Sequence, residues 1–142
     1  MDYKLEVMIL PVTDVDRALA FYVDQVGFTL DVDYAPSGAF RVVQLTPPGS
    51  SCSVQIGVGL TSSVPGSVQG LHLVVNDLHA AREELNARGV EVGPIRHKAP
   101  IDDWRGRWGT GLDRDRRDYA SFADFSDPDG NQWALQEHGF RH

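Results

Sequence analysis

One cysteine, Cys52, is all that a chain of 142 residues carries. No internal disulfide can staple the fold, and a reducing cytoplasm is the expected compartment. Cys52 reads as a structural thiol before a nucleophile, because a free cysteine commonly behaves as a small buried hydrophobe. Positive charge is also scarce: 13 Lys and Arg stand against 20 Asp and Glu, for a net charge of −7. Phosphate binding needs a basic surface, so nucleic acid is not an expected partner. No apolar run approaches the ~20 residues that span a bilayer, so no membrane association is expected. The opening Met1-Asp2-Tyr3-Lys4-Leu5-Glu6 lacks the charged and apolar regions of a secretory leader. What remains is an ordinary globular composition, 42% hydrophobic and 23% charged. Its length suits one domain, or two half-size modules sharing a core.

What the chain does have is a pattern written twice. Leu10-Pro11-Val12-Thr13-Asp14-Val15-Asp16-Arg17-Ala18 joins an apolar run to a helix-opening signal, with Gly27-Phe28 after the helix. Roughly sixty residues on, Leu73-Val74-Val75-Asn76-Asp77-Leu78-His79-Ala80-Ala81 repeats it, with Gly89-Val90 following. Two copies are too few for a solenoid, so they read as one supersecondary unit used twice. Paired units make a cleft between them, where a ligand site is expected.

In copy one, Leu5 to Val12 reads as a strand, Thr13 as the N-cap of a helix carrying Val15, Ala18, Leu19 and Tyr22, and Gly27 as its stop. Strands are expected over Phe28 to Tyr34, Phe40 to Thr46 and Cys52 to Val58, with Pro47-Pro48-Gly49-Ser50 as a turn. In copy two, Leu71 to Val75 is a strand, Asn76 an N-cap, and Leu78, Ala81 and Leu85 the inward stripe of a helix. Val90 to Ile95 is the next strand, and Tyr119 to Phe125 and Gln132 to Glu137 form a hairpin across Asp127-Pro128-Asp129-Gly130-Asn131. Leu60 to Gln69, rich in Ser, Gly and Pro, is the expected linker. The order is β-α-β-β-β twice. One insertion, about 96–118, breaks the symmetry: a stretch of this length without period is commonly a lid or binding loop. It holds Trp104 and Trp108, which argue against plain disorder. Its charged run, Asp113-Arg114-Asp115-Arg116-Arg117-Asp118, is expected to be solvated.

These paired modules, the Ala20-Phe21-Tyr22 and Val26-Gly27-Phe28 segment, and the Asp127-Pro128-Asp129-Gly130-Asn131 turn resemble the vicinal oxygen chelate superfamily. That group comprises the glyoxalases, bleomycin-resistance proteins and extradiol dioxygenases. The resemblance covers nearly the whole chain apart from the insertion. It implies an α+β fold in which the two βαβββ modules, about 3–60 and 68–140 of a single domain 1–142, form an eight-stranded, cleft-containing open barrel. It also implies four metal-ligand positions on the first and last strands of each module. Carried over one at a time, these fall on Val7, Gly70, Ala134, and either Ser53 or Gln55. None is His, Glu or Asp, and a divalent transition metal needs imidazole, carboxylate or thiolate donors. No metal and no other cofactor is expected.

Strand alternation places Val7 with Ile9, Gly70 with His72, Ser53 with Gln55, and Ala134 with Gln136 and His138. The polar groups expected to meet a ligand are therefore His72, Gln55 and Gln136. Glu137 has the opposite parity unless the hairpin is bulged. Gln55 and Gln136 are read as equivalent positions. Trp104, Trp108 and Tyr119 supply flat surfaces for an aromatic molecule. His79 and His97 are expected at the surface. His72 is the single candidate acid–base group.

The reading that follows resembles the bleomycin-resistance branch: a homodimeric, metal-independent binder of an organic, aromatic natural product. Its rival is a lyase, isomerase or ring-forming enzyme that uses His72 as base, without metal or with a divalent ion relocated to His72 and Glu137. A third possibility is an interaction module whose tryptophans meet a protein.

Overall fold

The computed structural model describes residues 1–142 and divides them into two compact units. Unit 1 comprises residues 1–68 together with 127–131; unit 2 comprises residues 69–126 and 132–142. No helix is long and apolar enough to cross a membrane.

Unit 1 runs β1 (Val7–Ile9), α1 (Val15–Ala20), a π-helical segment (Phe21–Val26), β2 (Thr29–Ser37), β3 (Phe40–Thr46) and β4 (Ser53–Val58). The sheet order is β1-β4-β3-β2, with β1 parallel to β4 and the other pairs antiparallel. Alternation decides the faces: Val43, Leu45, Val54 and Ile56 are buried, as are Val15, Ala18, Phe21 and Tyr22 of the helical segments. Gly27 stops the helix in the left-handed conformation, φ 94°, with its amide bonded to Tyr22 O. β1 is shorter than the apolar run suggests, its ladder to β4 ending at the bond from Leu10 N to Gln55 O at 2.9 Å.

Two expected N-caps move by one residue. Asp14, not Thr13, caps α1 by accepting from Arg17 N at 3.0 Å. Thr13 is engaged elsewhere, its hydroxyl donating to Asp129 at 2.7 Å. In unit 2, Asp77 rather than Asn76 caps the helix by accepting from Ala80 N at 3.0 Å.

The Asp127-Pro128-Asp129-Gly130-Asn131 turn is the best-bonded part of unit 1. Asp127 is buried and accepts from the amides of Asp129, Gly130 and Asn131, from Tyr22 Oη at 2.8 Å, and from Asn131 Nδ2 at 2.8 Å. Asn131 also donates to Pro11 O at 2.9 Å and accepts from Val68 N at 3.1 Å. The motif's wording is thus a hydrogen-bonding requirement: a carboxylate, an open-backbone glycine and an amide.

Unit 2 runs β5 (Leu71–Val75), α2 (Leu78–Ala87), β6 (Arg96–Lys98), β7 (Trp108–Thr110), β8 (Ser121–Ser126) and β9 (Gln132–Glu137), in sheet order β5-β9-β8-β6-β7. The architecture is α+β with two β-α-β-β-β modules, but it holds nine strands, in open sheets of four and five that do not close into a barrel. The ninth strand comes from the insertion, which folds as the β6–β7 hairpin in place of a structureless loop. Conversely, Val90 to Ile95 is not a strand. Val90 and Val92 are buried, but Val92 N bonds to the Asn86 side chain and Gly93 N to Asp124 O, and Pro94 has no N–H to give.

Candidate functional site

Pairing register fixes which side chains share a face of the second sheet. His72 lies opposite Ala134 and Val74 opposite Gln136; Phe122 lies opposite both Gln136 and Arg96; Lys98 lies opposite Trp108. All point away from α2, which packs against the other face of β8 and β9. Leu71, Trp133, Leu135 and Glu137 are buried on that other face.

The outward face carries a continuous aromatic and cationic surface. Trp104 and Trp108 meet edge to face at 5.1 Å, Trp108 meets Phe122 at 5.3 Å, and His72 meets Phe122 at 6.0 Å. Arg96 lies over the Trp108 ring at 4.3 Å and bonds Asp124 at 2.7 Å. Lys98 Nζ lies 5.0 Å from the Trp104 centroid and 5.4 Å from that of Phe122. Phe122 is only 6% exposed, whereas Trp104 and Trp108 are 38% and 42% exposed. A buried ring thus forms a floor beneath two open ones. His72 Nδ1 lies 2.8 Å from Gly70 O, so in the neutral ring Nδ1 donates and Nε2 keeps its lone pair.

The insertion that brings the tryptophans here is tied down at its C-terminal end. Asp113 is 2% exposed and accepts from Arg117 N, Nε and Nη2 at 2.8–2.9 Å. The Arg117 guanidinium holds the Asp113 carboxyl down to about 2, against the desolvation that opposes it. Arg116 forms a two-pronged pair with the fully buried Glu137, 2.8 and 2.6 Å, which raises the arginine above its ordinary range. The charged run is therefore not simply solvated: Asp113 and Arg116 turn inward while Arg114, Asp115 and Asp118 remain exposed. His97 is also less exposed than expected; its ring lies over Gly109 and its Nδ1 sits 2.8 Å from Gly111 O. His79 is exposed and pairs with Glu83.

Of the residues singled out from sequence, His72, Trp104 and Trp108 belong to this surface. Gln136 shares the face, but its amide donates to Tyr119 O at 3.1 Å. Tyr119 is not on a strand: it precedes β8 with a left-handed φ of 63° and stacks on His138 at 4.5 Å. Gln55 lies in unit 1, where its amide donates to Gln44 at 3.0 Å.

Gln55 and Gln136 are not equivalent. Ile9 and His72 each stand five residues before their helix cap, and Ile9 pairs with Gln55 while His72 pairs with Ala134. Gln55 is therefore the counterpart of Ala134, which settles the open alternative between Ser53 and Gln55. Glu137 faces α2, accepting from Leu78 N at 2.8 Å, so it cannot join His72 around an ion. No group of three or more His, Cys, Asp or Glu is placed to hold a metal. The donor set at Val7, Gly70, Gln55 and Ala134 does not fit one.

Arg96, Lys98 and Phe122 escaped the sequence reading as site residues. Arg96 and Lys98 lie in a stretch without apolar period, and it is the pairing of β6 with β7 and β8 that brings them beside Trp108 and Phe122. Two pockets lie elsewhere. One in unit 1, about 350 Å³, is lined by Leu10, Pro11, Val58 and residues 59–63, and has no titratable group. One in unit 2, about 310 Å³, lies at the root of the insertion beside His97, Pro100, Asp113 and Arg117.

A family model described as Glyoxalase/Bleomycin resistance protein/Dioxygenase superfamily matches residues 4–135. No curated protein matches significantly. Among solved structures, TnmS3, an antibiotic binding protein from Streptomyces sp. CB03234, is 32% identical, with 96% of each chain covered and a TM-score of 0.70. A glyoxalase/bleomycin resistance protein from the same Streptomyces is 30% identical over 94% of this chain and 100% of its own, TM-score 0.69. A superfamily member from Sphaerobacter thermophilus DSM 20745 is 28% identical over 96% and 98%, TM-score 0.73.

Proposed function

The chain belongs to the Glyoxalase/Bleomycin resistance protein/Dioxygenase superfamily, and from that premise we propose that it binds an aromatic organic molecule, of the antibiotic class, without a catalytic metal. The observation that carries this reading is the Trp104–Trp108–Phe122–His72 surface with its two cations. Large, partly exposed rings beside a buried one give a flat ligand apolar area and edge contacts at little cost in side-chain freedom. His72 Nε2 supplies an acceptor for a ligand hydroxyl or amide. The description of TnmS3 as an antibiotic binding protein supports the ligand class. The absence of carboxylate or imidazole donors at the superfamily's strand positions supports binding without metal.

Titration with a panel of aromatic natural-product antibiotics, followed by tryptophan emission and by thermal shift, tests the reading. Saturable quenching with a raised melting temperature is expected, and Trp108→Ala should weaken binding by roughly tenfold. Binding by no compound, or a stoichiometric transition metal in protein purified without chelators, overturns it.

His72 favours one second reading. A neutral imidazole with Nδ1 held by a carbonyl presents Nε2 as a base, the arrangement that general-base catalysis requires. If the protein turns over a bound compound and His72→Ala does not abolish that turnover, the base assignment fails.

A further inference from the structure

Resting on that reading, we propose that the ligand is an anion: an aromatic molecule bearing a carboxylate, sulfonate or ionised phenol, received by Lys98 as the specificity-determining residue. The face holds two cations and one carboxylate. Asp124 is committed to Arg96 at 2.7 Å, and Arg96 is further held over Trp108. Lys98 forms no ion pair; the residue is half-buried, and its ammonium lies near the Trp104 and Phe122 rings. Arg96 and Lys98 lie two residues apart on one strand, so both heads project from the same face. An excess positive charge on the ring-lined face of a chain of net charge −7 is a local reversal of sign. Such a charge selects an acidic group on a ligand whose rings lie on the tryptophans, since a charge-assisted hydrogen bond is stronger than a neutral one.

The test uses two fluorescent probes with the same rings. 8-Anilinonaphthalene-1-sulfonate carries a sulfonate, and N-phenyl-1-naphthylamine lacks it. Binding is read through quenching of the tryptophans in wild type, Lys98→Met and Lys98→Arg. The sulfonate should bind about tenfold more tightly than the neutral probe in wild type. That preference should weaken with added salt, vanish in Lys98→Met and persist in Lys98→Arg. The readout is the ratio of the two affinities within each variant, and circular dichroism with thermal melting of Lys98→Met certifies that the variant is folded. Equal affinity for the two probes, or a preference that survives Lys98→Met, overturns the proposal while leaving an aromatic-binding surface standing. Binding of neither probe, nor of any aromatic antibiotic, removes the underlying reading and this inference with it.

Discussion

Glu137 sits at 0% exposure with both carboxylate oxygens bonded, Oε1 to Arg116 Nε at 2.8 Å, and Oε2 to Arg116 Nη2 at 2.6 Å and to Leu78 N at 2.8 Å. It joins three parts of unit 2: the last strand, the first turn of α2, and the end of the insertion that carries the tryptophans. Replacing Glu137 by Ala leaves the Arg116 side chain, 16% exposed, with only Asp77 at 3.5 Å as a counter-charge. It also leaves the Leu78 amide without its acceptor. Removing one partner of a buried pair costs about 3–5 kcal/mol, and the surviving Asp77 contact and the Phe140 ring beneath Arg116 place this case near the lower end. Glu137→Gln keeps an acceptor but not the charge, and should lose less. Urea denaturation followed by circular dichroism and by tryptophan emission measures both variants. With roughly 5–15 kcal/mol typical of a whole domain, a loss near 3 kcal/mol lowers the midpoint conspicuously. If Glu137→Ala lies within about 1 kcal/mol of wild type, the buried pair is not what anchors the insertion.

The other expectations concern the turn, the hairpin and the acid limb. Asp127→Ala removes the acceptor of five hydrogen bonds in unit 1 and should cost about 3 kcal/mol or more, whereas Tyr22→Phe removes one and should cost about 1 kcal/mol; a double-mutant cycle by urea titration measures their coupling. Gly109→Ala builds a methyl into the His97 ring, so the ring must leave Gly111 O; a loss of about 1–3 kcal/mol and greater acrylamide quenching of Trp108 are expected. Asp113 titrates in the folded protein at about 2, below its ordinary 3.8, so its contribution is complete above pH 4 and is lost as pH falls through 2. Acid titration of wild type should therefore loosen the insertion across that window, read in Trp104 and Trp108 emission, and Asp113→Asn should lack that component.

Where the local chemistry had a single solution, the fold was readable from the chain. Phe40–Thr46, Leu71–Val75 and Gln132–Glu137 are short runs rich in apolar residues, and they form strands with those limits. The misses came where tertiary partners took over a local role. Thr13 looks like a cap, but Asp129, 116 residues away in sequence, claims it and passes the cap to Asp14. Val90 to Ile95 has strand composition, but the Asn86 side chain takes the Val92 amide and Pro94 has none, which leaves Gly93 N bonded to Asp124 O. The hairpin in the insertion rests on the fit of His97 over Gly109, which no propensity records. Asp113 and Arg117, four residues apart, did carry a local sign of pairing inside what looked like a solvated run.

The duplicated unit acquires its meaning from register. With Asp14 and Asp77 as caps, Gln44 and Gln55 in unit 1 correspond to Asp124 and Ala134 in unit 2. In unit 1 the two amides satisfy each other at 3.0 Å, so that pair is neutral and closed. In unit 2 the partner of the acidic residue has shrunk to alanine, and Asp124 reaches instead to Arg96 on the inserted hairpin. That one exchange turns a self-contained pair into a link between β8 and β6, the strand that holds the place of β2 in the sheet order and carries the added β7. The aromatic rings, the unpaired lysine and the imidazole acceptor all lie on the same side of that link. Chemistry in this chain thus collects where the symmetry of the doubled unit is broken, and the β6–β7 hairpin is the part whose redesign should change what is bound before it changes whether the protein folds.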